Sequence, residues 1–356
     1  MAATTTQGYI AARFYGMRSR LLTKDNYFRL LSSYDLSSFI TDLRDFPIYK
    51  TILENRLLLE DPLTAIDSTI NIVLSERMKK VIRLSGGAYQ RAFKLISFKW
   101  ELTNIQLAIR SILRTTDFQP YFIPIGDLNQ IELLHLANCS DLKEALSYLE
   151  SILNPLAQVV RQLIEANVST ADLDILDGIF NQFYYNHIKK GIKNIKNRKI
   201  RNIIKKALNE EREFENTKTV INFIGRISRG THFDKLDFSL LIFPGKARIH
   251  PEEIELAVKR RDIRSLQLIL LRTSYRDIIQ RMINEPSMHE TLQQYIEEIE
   301  RIFLSSQTRK RFKRHAFNLG LAYIWQMTVE ARNLRILAHG LENFTQSEIE
   351  RRLFLV

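Results

Sequence analysis

The chain has 356 residues, 45% of them hydrophobic, with 12 Gly, 8 Pro and one Cys, which exceeds one ordinary hydrophobic core and suggests two or three domains. The single cysteine, Cys139, excludes an intramolecular disulfide and a cysteine-rich zinc site and makes a reducing cytosolic compartment the default, while no apolar run approaches the roughly 18–20 residues that cross a bilayer. A net charge of +12 implies affinity for something acidic without choosing among nucleic acid, phospholipid headgroups and an acidic protein.

Apolar residues recur at helical spacing through most of the chain, as in Phe28, Leu31, Leu36, Phe39, Ile40 and Leu43 and again in Leu142, Ala145, Leu146, Leu149, Ile152 and Leu153. That period predicts amphipathic helices and an all-α fold. The segment from Met1 to Arg20 is basic and free of acids, a pattern shared with organelle transit peptides, but it also reads as the opening helix. Breaks are predicted at Phe46-Pro47, Gly86-Gly87, Gln119-Pro120, Ile123-Pro124, Phe243-Pro244-Gly245 and His250-Pro251. No proline falls between Pro155 and Pro244, so long uninterrupted helices are allowed there. Pro251 followed by Glu252 and Glu253 is a favourable helix opening, because carboxylates in the first turn face the positive end of the helix dipole.

A Glu three residues ahead of an Asn occurs at Glu101 and Asn104, Glu213 and Asn216, and Glu330 and Asn333, at intervals of 112 and 117 residues. Each pair is followed by a Gly and an Ile-centred stretch: Gly126 with Ile131, Gly245 with Ile254, and Gly340 with Ile349. In phase with these, the acidic-apolar pairs Asp35-Leu36, Asp141-Leu142 and Asp262-Ile263 stand where further helices should open. Two markers in register point to internal repetition. The expected organisation is three helical units, residues 1–97, 98–210 and 211–356, the last carrying a truncated fourth copy. The first unit has the acidic-apolar marker but no Glu-x-x-Asn.

Glu and Asn three apart share a helix face, where a carboxylate acceptor and a donating and accepting amide can tie one helix to its neighbour. A polar clamp between helices is therefore the expected role of these residues, since no base, acid or metal ligand repeats with them. The seven His residues show no helical pairing that would hold a metal. Gly225-Arg226-Ile227-Ser228-Arg229-Gly230 has the glycine spacing of a phosphate loop, but Thr231 and His232 stand where Lys and Ser or Thr are needed. No catalytic residue, cofactor or metal is expected. Nine cations lie between Lys189 and Lys206 with isoleucines interleaved, a pattern suited to anionic lipid, phosphates, an acidic partner helix or a solvated face with an apolar seam. The Arg309 to Arg314 cluster adds charge but no base-reading pattern.

The run Glu330-Ala331-Arg332-Asn333-Leu334-Arg335-Ile336-Leu337-Ala338-His339-Gly340, ending in Ile349-Glu350-Arg351-Arg352-Leu353, resembles the closing helices of the C subunit of V-type (A-type) ATPases, called the d subunit in eukaryotes. Tyr9 to Arg13, Arg18 to Leu22, Tyr27 to Leu31, Asp35-Leu36 and Tyr49 resemble the opening of that family. The resemblance implies three similar helical domains arranged as a funnel. It also implies a non-catalytic rotor subunit on the cytoplasmic face of the membrane, a peripheral socket between the central-stalk subunits and the proteolipid ring that transmits torque for proton or sodium transport. Glu330, Arg332, Asn333 and Arg335 are expected to form an ordering network. The dense basic segment has no counterpart in that pattern. The competing expectation is a helical-repeat protein that binds RNA or another polyanion, although nothing in the sequence reads bases.

Overall fold

The computed structural model describes residues 2–114, 121–152, 154–166, 173–230, 237–243, 249–284, 289–309 and 315–355. Among the described residues there are eighteen α-helices and no strand. The expected breaks at Gln119-Pro120 and Pro244-Gly245, together with Thr231, His232 and residues 310–314, lie outside the described residues.

Contacts divide the chain into two compact units that do not follow linear order. One comprises residues 1–154 and 307–356, the other 155–306. The repeat boundaries at 97/98 and 210/211 lie within two long helices, Gly87–Arg114 and Arg198–Ser228.

The first unit contains α1 (Ala2–Arg18), α2 (Lys24–Leu31), α3 (Leu36–Arg44), α4 (Pro47–Leu57), α5 (Pro62–Ser85), α6 (Gly87–Arg114), α7 (Gln130–Ala137), α8 (Leu142–Ser151) and, from the far end of the chain, Ala316–Gly340 and Gln346–Arg352. Local chemistry explains the helix starts. Asp35 and Asp141 are N-caps, accepting the Ser38 amide at 2.7 Å and the Lys143 and Glu144 amides at 2.8 Å. Pro47 and Pro62 occupy first turns, where no backbone donor is lost. Gly86 and Gly87, at φ +53° and +52°, make the break between α5 and α6.

Helix Ala316–Gly340 is apolar on nearly every side and runs through this unit against α1 and α5. A helix apolar all round must be enclosed. Gly320 permits the approach, because a Cβ there would stand 2.3 Å from Phe93 Cζ and 2.7 Å from Phe14 Cζ. Below it Tyr27, Leu30, Phe39, Leu43, Tyr49, Leu53 and Ile66 join Leu334, Leu337, Ala338 and Ile349 in one core. The two ends of the sequence thus share a single apolar cluster.

The second unit holds α9 (Ala157–Glu165), α10 (Leu173–Lys193), α11 (Arg198–Ser228), α12 (Phe238–Leu241), α13 (Pro251–Lys259), α14 (Ile263–Leu270), α15 (Arg276–Asn284) and nearly all of α16 (His289–Thr308). The helices of the final stretch, in the first unit, are α17 (Ala316–Gly340) and α18 (Gln346–Arg352). Asp262 caps α14 through the Ser265 amide at 3.0 Å, and Pro251, Glu252 and Glu253 form the first turn of α13. Stacked Phe214 and Phe303 rings, 4.5 Å apart, fix α11 to α16, and Tyr185 meets Phe243 at 4.8 Å. Gly225 to Ser228 lie inside α11, so the glycine spacing there forms no phosphate-cradling loop.

Candidate functional site

The three Asn residues make the same pair of bonds. Asn104 donates from Nδ2 to the Ile123 carbonyl at 2.6 Å and accepts the Ile123 amide at 2.8 Å. Asn216 bonds the carbonyl and amide of Phe243 at 3.0 and 2.9 Å, and Asn333 bonds those of Phe354 at 2.8 and 3.1 Å. All three side chains are fully buried. A primary amide alone among small side chains offers a donor and an acceptor at the right separation to satisfy both backbone groups of one residue. Each thereby fastens a non-helical strap of the chain to a long helix: α6, α11 or α17.

The straps explain why their backbone needs a side-chain partner. Ile123 and Phe243 each precede a proline, which pushes the preceding residue out of the helical region. Their buried peptide groups therefore lack helical partners, and an unsatisfied one would cost about 1–3 kcal/mol. Phe354 lies just beyond α18 in the same situation. These strap residues were not foreseen, although Ile123-Pro124 after Asn104 and Phe243-Pro244 after Asn216 carried the signal for two of the three.

One turn earlier, each Glu holds a different segment. Glu101 accepts the Asp127 amide at 3.2 Å, and Gly126, at φ +112°, lies so close that a Cβ would stand 2.7 Å from the carboxyl carbon of Glu101. Burial pushes the Glu101 carboxyl up to about 7. Glu213 accepts the Ser274 amide at 2.8 Å and its hydroxyl at 3.0 Å, anchoring the approach to α15. Glu330, only 2% exposed, accepts the Leu22 amide at 2.7 Å and bonds the Tyr49 hydroxyl and the Arg77 guanidinium. Burial alone would lower the Arg77 pKa, but the Glu330 carboxylate and nearby Tyr oxygens outweigh it and hold it above its ordinary value. Burial, reinforced by Glu330, pushes Tyr49 and Tyr27 well above theirs.

A second buried charge, Asp67, lies nearly three turns before Arg77 on α5 and faces Arg335 and His339, which follow Glu330 on α17. Asp67, 1% exposed, receives Arg335 Nε at 3.1 Å and faces His339 Nε2 at 2.9 Å, while Arg335 also donates to Asn71. Arg332 is half-buried on the same helix. Arg335 and Glu330 are thus brought together with N-terminal residues, whereas Glu101 with Asn104 and Glu213 with Asn216 form separate clamps. Arg77, Asp67 and Asn71 were missed, and Tyr49 and His339 entered only as part of the stretches that resemble the family. The signal for Asp67, Asn71 and Arg77 was their spacing among Ala65, Ile66, Ile70, Val73, Leu74 and Met78, on the stretch of α5 that the apolar period turns inward.

Every carboxylate in these clusters is spent on backbone amides, hydroxyls or cations. Among the described residues no group of three or more His, Cys, Asp and Glu side chains is arranged to hold a metal ion. Removing one member of the buried Arg77–Glu330 pair would leave an uncompensated charge, at about 3–5 kcal/mol. What this arrangement does is lock straps and helices in place.

Residues 10–352 match the model of the ATP synthase (C/AC39) subunit family. The A-type ATP synthase C subunit of Pyrococcus abyssi is 22% identical over 355 residues, covering 97% of this chain and 89% of the relative. That of Thermococcus kodakarensis is 21% identical, covering 95% and 88%. The V-type ATP synthase C subunit of Deinococcus radiodurans is 26% identical over 183 residues, about half of each chain.

Proposed function

The chain belongs to the ATP synthase (C/AC39) subunit family, and from that membership we propose that it is a non-catalytic rotor subunit of a V-type (A-type) ATPase or ATP synthase. In this reading it is the socket that joins the central stalk to the proteolipid ring on the cytoplasmic face of the membrane. It transmits torque during proton or sodium transport. Its sequence repeats, residues 1–97, 98–210 and 211–356, form the walls of a funnel. No helix among the described residues is long and apolar enough to cross a membrane.

The observation that carries the proposal is the fastening of α6, α11 and α17 each to a non-helical strap by a fully buried Asn. A torque-bearing part must not yield internally. Buried, fully satisfied hydrogen bonds fix one geometry where apolar contacts alone allow sliding, and close-packed interiors transmit strain.

The test is affinity purification of the tagged chain from detergent-solubilised membranes. Recovery of stalk and proteolipid subunits in fixed proportion is expected. Recovery of the chain alone, or with RNA, would sink the rotor reading and favour the polyanion-binding alternative.

A further inference from the structure

Nine cations of this chain fall within residues 189–206, where there is no acid. The structure folds this segment into a hairpin tip within the second unit. Lys189, Lys190 and Lys193 end α10, Lys196 lies in the turn, and Arg198, Lys199, Arg201, Lys205 and Lys206 lie on the first turns of α11. All but Arg201 are exposed; that side chain donates to the Ile195 carbonyl at 3.2 Å and closes the turn. Lys206 stands 3.9 Å from Glu210, and among the described residues the other exposed cations have no carboxylate partner. The interleaved Ile188, Ile192, Ile195, Ile200 and Ile204 are buried in the unit's core. The apolar seam is therefore occupied, and the segment cannot lie as an amphipathic helix with its apolar face in a bilayer.

Asn197 caps α11, accepting the Lys199 and Ile200 amides at 3.0 and 3.2 Å, but the charges beside it run against the helix dipole. Cations at the end of α10 suit the helix dipole, but Arg198 and Lys199 in the first turn of α11 oppose it, with no acid there to compensate. The α13 opening, with Glu252 and Glu253, shows the ordinary arrangement. A charge placed where it costs stability points to a ligand.

We propose that the tip formed by Lys189 to Lys206 docks electrostatically on anionic phospholipid headgroups. The choice of a membrane rests on the rotor reading above, which puts the chain beside one. Composition supports it independently. Seven of the nine cations are lysines, which are depleted in protein interfaces, and no exposed aromatic stands among them to stack on bases. From Arg198 to Lys206 the helix rises about 12 Å, so most of these charges come within about a Debye length of one surface. Without inserted apolar groups the contact is shallow, and a rotating part can slide over a fluid leaflet.

The experiment compares binding of the full chain to phosphatidylcholine vesicles with and without about 30% phosphatidylglycerol, an anionic lipid. Binding only to the anionic vesicles is expected, lost at about 1 M salt, where the Debye length is about 3 Å. The exposed triple variant Lys193→Gln, Lys196→Gln, Lys199→Gln should bind about a hundredfold more weakly, at about fivefold per cation. Lys50→Gln, Lys94→Gln, Lys143→Gln, exposed in the first unit, removes the same charge elsewhere and should leave binding unchanged. Equal loss in both variants, no vesicle binding by the wild type, or tighter tip-dependent binding to a single-stranded RNA oligonucleotide would each overturn the proposal. Failure of the rotor reading shows separately: a wild-type chain that binds vesicles but does not co-purify with proteolipid and stalk subunits refutes that reading and leaves the tip assignment standing.

Discussion

At the scale of single residues, the clamps turn on what one side chain can donate and accept. Asn333→Leu keeps the volume but strips both partners from the buried Phe354 peptide groups. A loss of about 1–3 kcal/mol is expected by chemical denaturation of the transition that includes the first unit; unchanged stability would show that the strap does not need its clamp. Glu101 makes a prediction about pH. Its folded-state carboxyl is raised to about 7 from the ordinary 4.5, so the folded protein holds that proton more tightly than the unfolded chain. The associated stability is fully present below pH 4.5 and lost as pH rises through about 7. The difference in melting temperature between wild type and Glu101→Gln should therefore shift against the wild type across that window. A difference that does not vary with pH would contradict burial as the cause. The sequence placed Glu101, Asn104, Glu213, Asn216, Glu330 and Asn333 on helices by their spacing. It could not reveal that Glu330 meets Arg77, because that environment is set by α5, hundreds of residues from Glu330 in sequence.

At the scale of elements, the helices and their starts were legible because their causes are local. Asp35, Asp141 and Asp262 cap helices with side-chain oxygens two or three residues from the amides they satisfy. Proline and glycine breaks act on their own backbone. Helix contacts were less legible. Gly320 reads in sequence as a weak point in α17, yet it is the closest approach to Phe14 and Phe93. Gly320→Val should destabilise the first unit by about 1–3 kcal/mol through overpacking, despite the gain in helix propensity over glycine. Thermal melting followed by circular dichroism tests this, and a variant that melts at or above the wild-type temperature would place that contact elsewhere. The basic segment shows the same division. Its charge was plain from sequence, whereas the turn between α10 and α11 and the burial of its isoleucines came only with the fold.

At the scale of the whole molecule, the first unit is assembled from both ends of the chain, with α17 enclosed by α1 and α5. A chain ending at residue 306 should leave those faces bare, and exposed apolar surface of that size drives aggregation. The truncated protein should lose more helical signal than α17 and α18 themselves contribute, and should sediment as aggregate. A monodisperse product with every remaining helix intact would show that the N-terminal helices fold without α17. By itself the sequence determined the helical fold class, the helix openings and the family, because periodicity, caps and motif strings are properties of neighbouring residues. Tertiary structure alone decided which residue answers each buried polar group. Glu330 finds Leu22, Tyr49 and Arg77 across 253 to 308 residues of chain, and no local pattern encodes a partner at that distance; only the enclosure of α17, which excludes water from its polar groups, selects it.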